Sequence, residues 1–317
     1  MHRHLRTVVL IAFGAILAAC SGNSSTGLPS NPSNSASTSS ATQLASPSYT
    51  IRDPETGTLA HIMLTKDVAN STPGHAAGVV PQAGLNMVWH GGPVQQTPHI
   101  YIVYWGWTSD PTGVFPRMQK FFNGVGGSQW LSSQAQYTDS TGHVGNQPNM
   151  LVKAWGDLTN KLPVVITQSA LAAEAVRAVS HFAGSYSVST NYIIATPHLH
   201  SQAGFGVQWC AYHSTTSSPS GTVSWTYMPY MTDAGSSCGE HSVNSGSGGV
   251  LDGVTIVGGH EQAETMTDPQ LDAWYDNKGE ETGDKCAWTG LQNTPFGAWG
   301  TFPTQPLWSN SANSCAQ

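Results

Sequence analysis

The chain has 317 residues, of which only 9% are charged, with 34 glycines, 11 tryptophans and a net charge of −7. A nucleic-acid partner needs a basic face, so this balance argues against one. Once one N-terminal cysteine is set aside, four remain, an even number that suits an exported, disulfide-bonded chain.

Arg3 and Arg6 open the sequence, and an apolar run follows over residues 7–19. The run is too short for a permanent membrane span and has the form of a signal-peptide core. It ends in Leu17-Ala18-Ala19-Cys20, the order of a bacterial lipobox, in which Cys20 becomes the lipidated first residue. Residues 1–19 are therefore expected to be a lipoprotein signal peptide. Residues 20–49 are rich in Ser, Asn and Pro and carry no charge, which predicts a disordered tether. A lipid on Cys20 would hold the domain to a membrane without spanning it, and the expected location is the bacterial cell envelope, on its periplasmic or extracellular face. Residues 50–84 have few apolar runs and are expected to be an extended lead-in. Residues 85–317 then form one large domain.

Within that domain, residues 99–107 (HIYIVYWGW) predict a buried strand. Residues 115–123 predict a short helix, with Pro116 tolerated in its first turn. Residues 151–155 suggest a strand. Thr167 suits the N-cap of a helix over 168–183, where Leu171, Ala175, Val179 and Phe182 repeat on one face. Residues 191–196, 205–212 and 223–231 predict three more strands. Trp105, Trp107, Trp274 and Trp288 are expected in the core. Strands, a long helix and then a helix with paired His and Glu suit an α+β, zincin-like single domain with a mixed sheet and an active-site helix.

The chemistry concentrates late in the chain. Nine of its 18 acidic residues fall between Asp252 and Asp284. If residues 250–267 are helical, His260 and Glu264 lie one turn apart on one face and can share a divalent ion. Glu261 would stand beside that ion, placed to take a proton from a metal-bound water. This is the H-E-x-x-H metallopeptidase arrangement with Glu in place of the second His. A catalytic zinc takes three protein ligands, so a third is required. Glu281 or Asp284 is expected to supply it. Asp268 is better explained as a cap before Pro269, and Asp276 and Glu280 as surface. Of the clustered His198, His200, His213 and His241, His213 is the strongest candidate to orient substrate or stabilise an oxyanion. Cys210, Cys238, Cys286 and Cys315 allow three pairings. Cys210–Cys238 and Cys286–Cys315 are favoured because each closes a local loop of about thirty residues. None of the cysteines is spaced for a zinc-thiolate site.

HGGPV (90–94), YIVYWGW (101–107), GGHEQAETMTDP (258–269), AWYD (273–276) and ETGDKCAW (281–288) together resemble the EXORDIUM, or phosphate-induced protein 1, family and its bacterial relatives. In that family a His-Glu-x-x-Glu helix is followed by an Asn- or Asp-Pro turn, an Ala-Trp-Tyr segment and a Glu-x-Gly-Asp-x-Cys segment. The resemblance covers residues 90–288 and places Glu281 and Asp284 on the second acidic segment. It implies a secreted protein, and its plant members are linked to growth signalling at the cell wall. The expectation from residues and resemblance together is a zinc-dependent, peptidase-like hydrolase acting on protein or peptide. His260 and Glu264, with Glu281 or Asp284, would hold Zn2+, and Glu261 would be the general base. The alternatives are a non-catalytic envelope module with a structural ion, such as Ca2+, and a cell-wall-binding protein using exposed aromatics. Imidazole suits calcium poorly. A monomer is expected.

Overall fold

The structure, a computed structural model, describes residues 49–71 and 86–317. The expected signal peptide, Cys20 and nearly all of the tether lie outside the described residues. Among the described residues, no helix is long and apolar enough to cross a membrane.

In chain order the elements begin with strands β1 (Thr50–Arg52) and β2 (Leu59–Leu64), helix α1 (Lys66–Ser71) and strands β3 (Val88–Trp89) and β4 (His99–Trp105). Helix α2 (Val114–Val125), strand β5 (Leu151–Asp157), helix α3 (Gln168–His181) and strands β6 (Thr190–Ala195), β7 (Trp209–Ser218) and β8 (Gly221–Met228) follow. Helix α4 (Asp252–Thr267) precedes the short strands β9 (Trp274–Tyr275), β10 (Gln292–Pro295), β11 (Thr301–Thr304), β12 (Leu307–Ser309) and β13 (Ser314–Ala316).

Seven strands form one mixed sheet in the order β1-β2-β7-β8-β6-β4-β5. Strands β5, β4, β6 and β8 run parallel, while β7 is antiparallel to both β8 and β2. The α+β class and the mixed sheet are as expected. The lead-in is not. Residues 50–64 supply two strands of the main sheet, because LAHIML at Leu59–Leu64 is an apolar run with five buried positions. The folded unit thus starts upstream of residue 85. The strand expected over 205–212 begins instead at Trp209, since a turn closes ahead of it through Gln208 N to Gly204 O (2.8 Å) and Gly206 N to Trp209 O (2.9 Å).

Strand alternation sorts the faces. Asn191, His213 and Thr226 point toward α4, where Asn191 Nδ2 donates to Gln262 and Thr226 Oγ1 meets Thr265 Oγ1. Tyr101, Tyr192 and Trp225 lie on the opposite face, and Phe182, at the end of α3, packs on Tyr101 there. The N-terminus of α3 is capped as the sequence predicts: Thr167 Oγ1 accepts from Ala170 N at 3.1 Å. The favoured disulfides, Cys210–Cys238 and Cys286–Cys315, are both formed. The first ties β7 to the 3-10 segment Met231–Cys238, and the second ties the turn at Asp284–Cys286 to β13.

Candidate metal centre

All 16 residues of α4 are buried, so it is a core helix without an amphipathic stripe. It can sit this deep because small residues let its neighbours close in. A Cβ on Gly259 would lie 2.9 Å from Trp130 Cη2 and 3.2 Å from Phe121 Cζ. At its end Asp268 N bonds Glu264 O (2.7 Å), and Pro269 follows. Asp268 Oδ1 accepts from the amides of Asp272 and Ala273, both at 2.7 Å, which is the capping role expected of it.

The chain then turns back toward the helix. Asp276 and Glu280, expected at the surface, are only 2% and 5% exposed. Lys285 explains this, because its Nζ lies 2.8 Å from Asp276 and 3.8 Å from Glu280 and supplies the charge that burial requires. Glu281–Asp284 follows directly and is laid against α4. Gly283 makes that contact possible: a Cβ there would stand 2.6 Å from His260 Nδ1 and 2.9 Å from Glu264 Oε1. The amides of Gly283 and Asp284 both donate to Glu264 Oε1, at 3.1 and 3.0 Å.

Two histidines from the sheet complete the cluster. His213 on β7 places Nδ1 3.3 Å from Glu261 and Nε2 3.5 Å from Glu281. His61 on β2, paired with His213 in register, places Nδ1 3.2 Å from Glu281 and Nε2 2.6 Å from Asp284. His61 was absent from the sequence expectation. Its only local signal is a lone titratable residue inside an otherwise apolar strand. His260 Nε2 lies 3.1 Å from Glu264 and 3.6 Å from Asp284. Every expected site residue, His213, His260, Glu261, Glu264, Glu281 and Asp284, is therefore brought into one cluster. His198, His200 and His241 are exposed at the surface, outside it.

The electrostatics are those of a buried, acidic cluster. Burial alone would lower the pKa of His61, but the charges of Glu281 and Asp284 override it and hold the ring at about 10. Burial opposes His260 likewise, and Glu264 raises it to about 9. Burial pushes Glu261, Glu281 and Asp284 upward, whereas Glu264 is drawn down to about 2 against burial by His260. Burial raises Asp268 to about 6.

The donors fit a transition-metal ion. His61, Glu264 and Asp284 offer ligand atoms within 4.8 Å of one another, and so do His213, Glu261 and Glu264. His213 Nε2, His260 Nε2, Glu261 Oε1, Glu264 Oε2, Glu281 Oε2 and Asp284 Oδ1 are buried and make no well-aligned hydrogen bond, although His260 Nε2 and Glu264 Oε2 lie 3.1 Å apart. Buried polar atoms are rarely left so, and six within one cluster call for a ligand. Imidazole with carboxylate suits zinc and its neighbours better than calcium.

A cavity of about 190 Å³ reaches the centre, lined by His61, Asp268 and Glu281 on one side and by Leu59, Leu271 and Tyr275 among the rest. Leu271 has a φ of 60°, unusual for a leucine, on the wall of this cavity. A Gly-x-Ser-x-Gly string is also present at residues 235–239. It lies in the 3-10 segment Met231–Cys238, not at the strand-to-helix turn a nucleophile elbow requires.

No protein-family model matches this chain, no curated protein is significantly similar to it, and no solved structure matches its fold.

Proposed function

We propose that the protein is an exported, envelope-anchored, metal-dependent hydrolase with a zincin-like helix, whose substrates are peptides or protein segments. The observation that carries this reading is Glu261: it is fully buried, one turn before Glu264, with Oε1 partnerless and Oε2 held by His213 at 3.3 Å. His61, Glu264 and Asp284, with His260 beside them, would hold the ion. An ion so held would polarise a substrate carbonyl and acidify a water.

The chain's own residues supply the rest. Glu261 Oε1 is the proton acceptor, and burial, which raises its pKa toward neutrality, makes it a better base than an exposed glutamate. His213 Nδ1 fixes the carboxylate's orientation. The amides of Gly283 and Asp284 fix Glu264 in the same way, so its second oxygen points inward. The cavity at Leu59, Leu271 and Tyr275 is smaller than the ~300 Å³ typical of a ligand pocket, so it suits one apolar side chain of an extended substrate. The order of the site segments agrees with the EXORDIUM-like resemblance, which we propose as the chain's kinship.

The burial of the centre favours a second reading, a non-catalytic envelope module with a structural ion. His61 is the most exposed of its seven groups, at only 4%. A screen of peptide and protein substrates with metal-loaded protein and its Glu261→Gln variant separates the two. Turnover lost in the variant, with metal retained, supports the hydrolase. Equal turnover in both, or none in the wild type, supports the structural reading.

A further inference from the structure

We propose that this centre holds two divalent cations, bridged by Glu264, rather than one. The inference rests on the metal-dependent reading above and deepens it.

Geometry comes first. The two ligand sets, His61–Glu264–Asp284 and His213–Glu261–Glu264, are each complete with three donors, and Glu264 belongs to both. A tetrahedral ion takes four donors, so one ion leaves at least three of the seven groups unused. Glu281 also faces both sets: its Oε1 lies 3.2 Å from His61 Nδ1 and 3.5 Å from His213 Nε2. The two rings lie with centroids 5.4 Å apart. Two-metal hydrolases hold their ions about 3.5–4 Å apart across such shared carboxylates.

The partnerless atoms divide in the same way. Asp284 Oδ1 belongs to a residue of the first set, His213 Nε2 to a residue of the second, and Glu264 Oε2 to the residue they share. One ion could satisfy one group of these and would leave the other orphaned.

Charge supplies the third argument. Glu261, Glu264, Glu281 and Asp284 together carry −4 when ionised. Among the described residues their ion pairs are all with histidine, none with Lys or Arg. Histidines that bind metal must be neutral. One divalent cation would then leave −2 on groups at most 4% exposed, where uncompensated charge is costly. Two would bring the sum to zero. Glu261 would reach the second ion through Oε2, the oxygen facing His213, and keep Oε1 for the proton.

The test is a metal count on the folded, full-length protein. Chelator-stripped protein is dialysed against Zn2+ and its metal measured by mass spectrometry, and a second sample is loaded with Mn2+ for electron paramagnetic resonance. Two zinc ions per chain and an exchange-coupled manganese spectrum are expected, with His213→Ala falling to one zinc. Should that variant fail to fold, the wild-type count and spectrum decide alone. One zinc per chain overturns the second ion and leaves the proposed hydrolase standing. Two uncoupled ions overturn the bridge. No zinc at all overturns both.

Discussion

Two clusters of buried carboxylates sit on this sheet, and they are built differently. In the first, Asp157 at the end of β5 and Glu174 on α3 share Arg177, whose guanidinium lies 2.8 Å from Asp157 and 3.2 Å from Glu174. Thr159 and Asn160 donate further hydrogen bonds, and Asp157 is held well below the usual carboxylate range. In the second, at α4, four carboxylates face three histidines and, among the described residues, no Lys or Arg. The first cluster brings its own positive charge and is a structural clasp between strand and helix. The second has, among the described residues, only titratable histidines to balance it. Burial by itself does not mark a functional site. Buried carboxylates balanced only by histidine, with polar atoms left unpaired, make the second cluster the candidate site.

The predictions test that contrast. The largest effect is expected at Glu261: replacement by Gln should cut turnover about 10²–10⁴-fold, the usual worth of a positioned acid or base, with the ion at His61, Glu264 and Asp284 retained. Steady-state rates beside metal content check this. Next is removal of metal. An ion present at a thousand times its dissociation constant stabilises by about 4 kcal/mol, which for a domain of this size is a fall in Tm of roughly 10 °C on chelation. Differential scanning calorimetry with and without chelator measures it, and an unchanged Tm would count against any bound ion.

Arg177→Met should cost about 1–3 kcal/mol, because it strips partners from two buried carboxylates while the guanidinium itself is partly exposed. That loss should be the same in metal-loaded and metal-free protein, since the clasp needs no ion. The smallest effect is expected at Glu174, whose carboxyl is raised by burial to about 7. A raised acid favours the folded state at low pH, and its contribution is lost as pH climbs from about 4 through about 7. Glu174→Gln should therefore flatten the fall in denaturant midpoint over that window. A profile as steep as the wild type's would show that Glu174 is not the titrating group.

How far the sequence alone could go differs between the two sides of the centre. His260, Glu261 and Glu264 were readable because a helix turns spacing into geometry, and Glu281 and Asp284 because acids are scarce elsewhere in the chain. His61 and His213 come from strands 152 residues apart in sequence, brought side by side only by sheet register. No local pattern encodes that pairing, so His213 was reached only as one candidate among four and His61 not at all. The same limit hid β1 and β2: β1 (TIR) has little apolar content, β2 is a single short apolar run with a histidine inside it, and β2 joins the sheet only through β7. Asp276 and Glu280 were misplaced for a related reason, since Lys285, which lets them be buried, acts through a turn rather than a helical period. The helix at Gln168–His181, by contrast, has its cap and its apolar face in adjacent residues and was predicted to within two residues.

On the proposed reading, the cluster at α4 binds metal through His260 and Glu264 together with His61 and Asp284. Elemental analysis of purified protein, beside the double variant His260→Ala, Glu264→Ala, tests it most directly, with circular dichroism confirming that the variant is folded. The account predicts zinc or another first-row transition metal bound stoichiometrically in the wild type and lost from the folded variant. No transition metal in the wild type, or the same amount in both proteins, would contradict it.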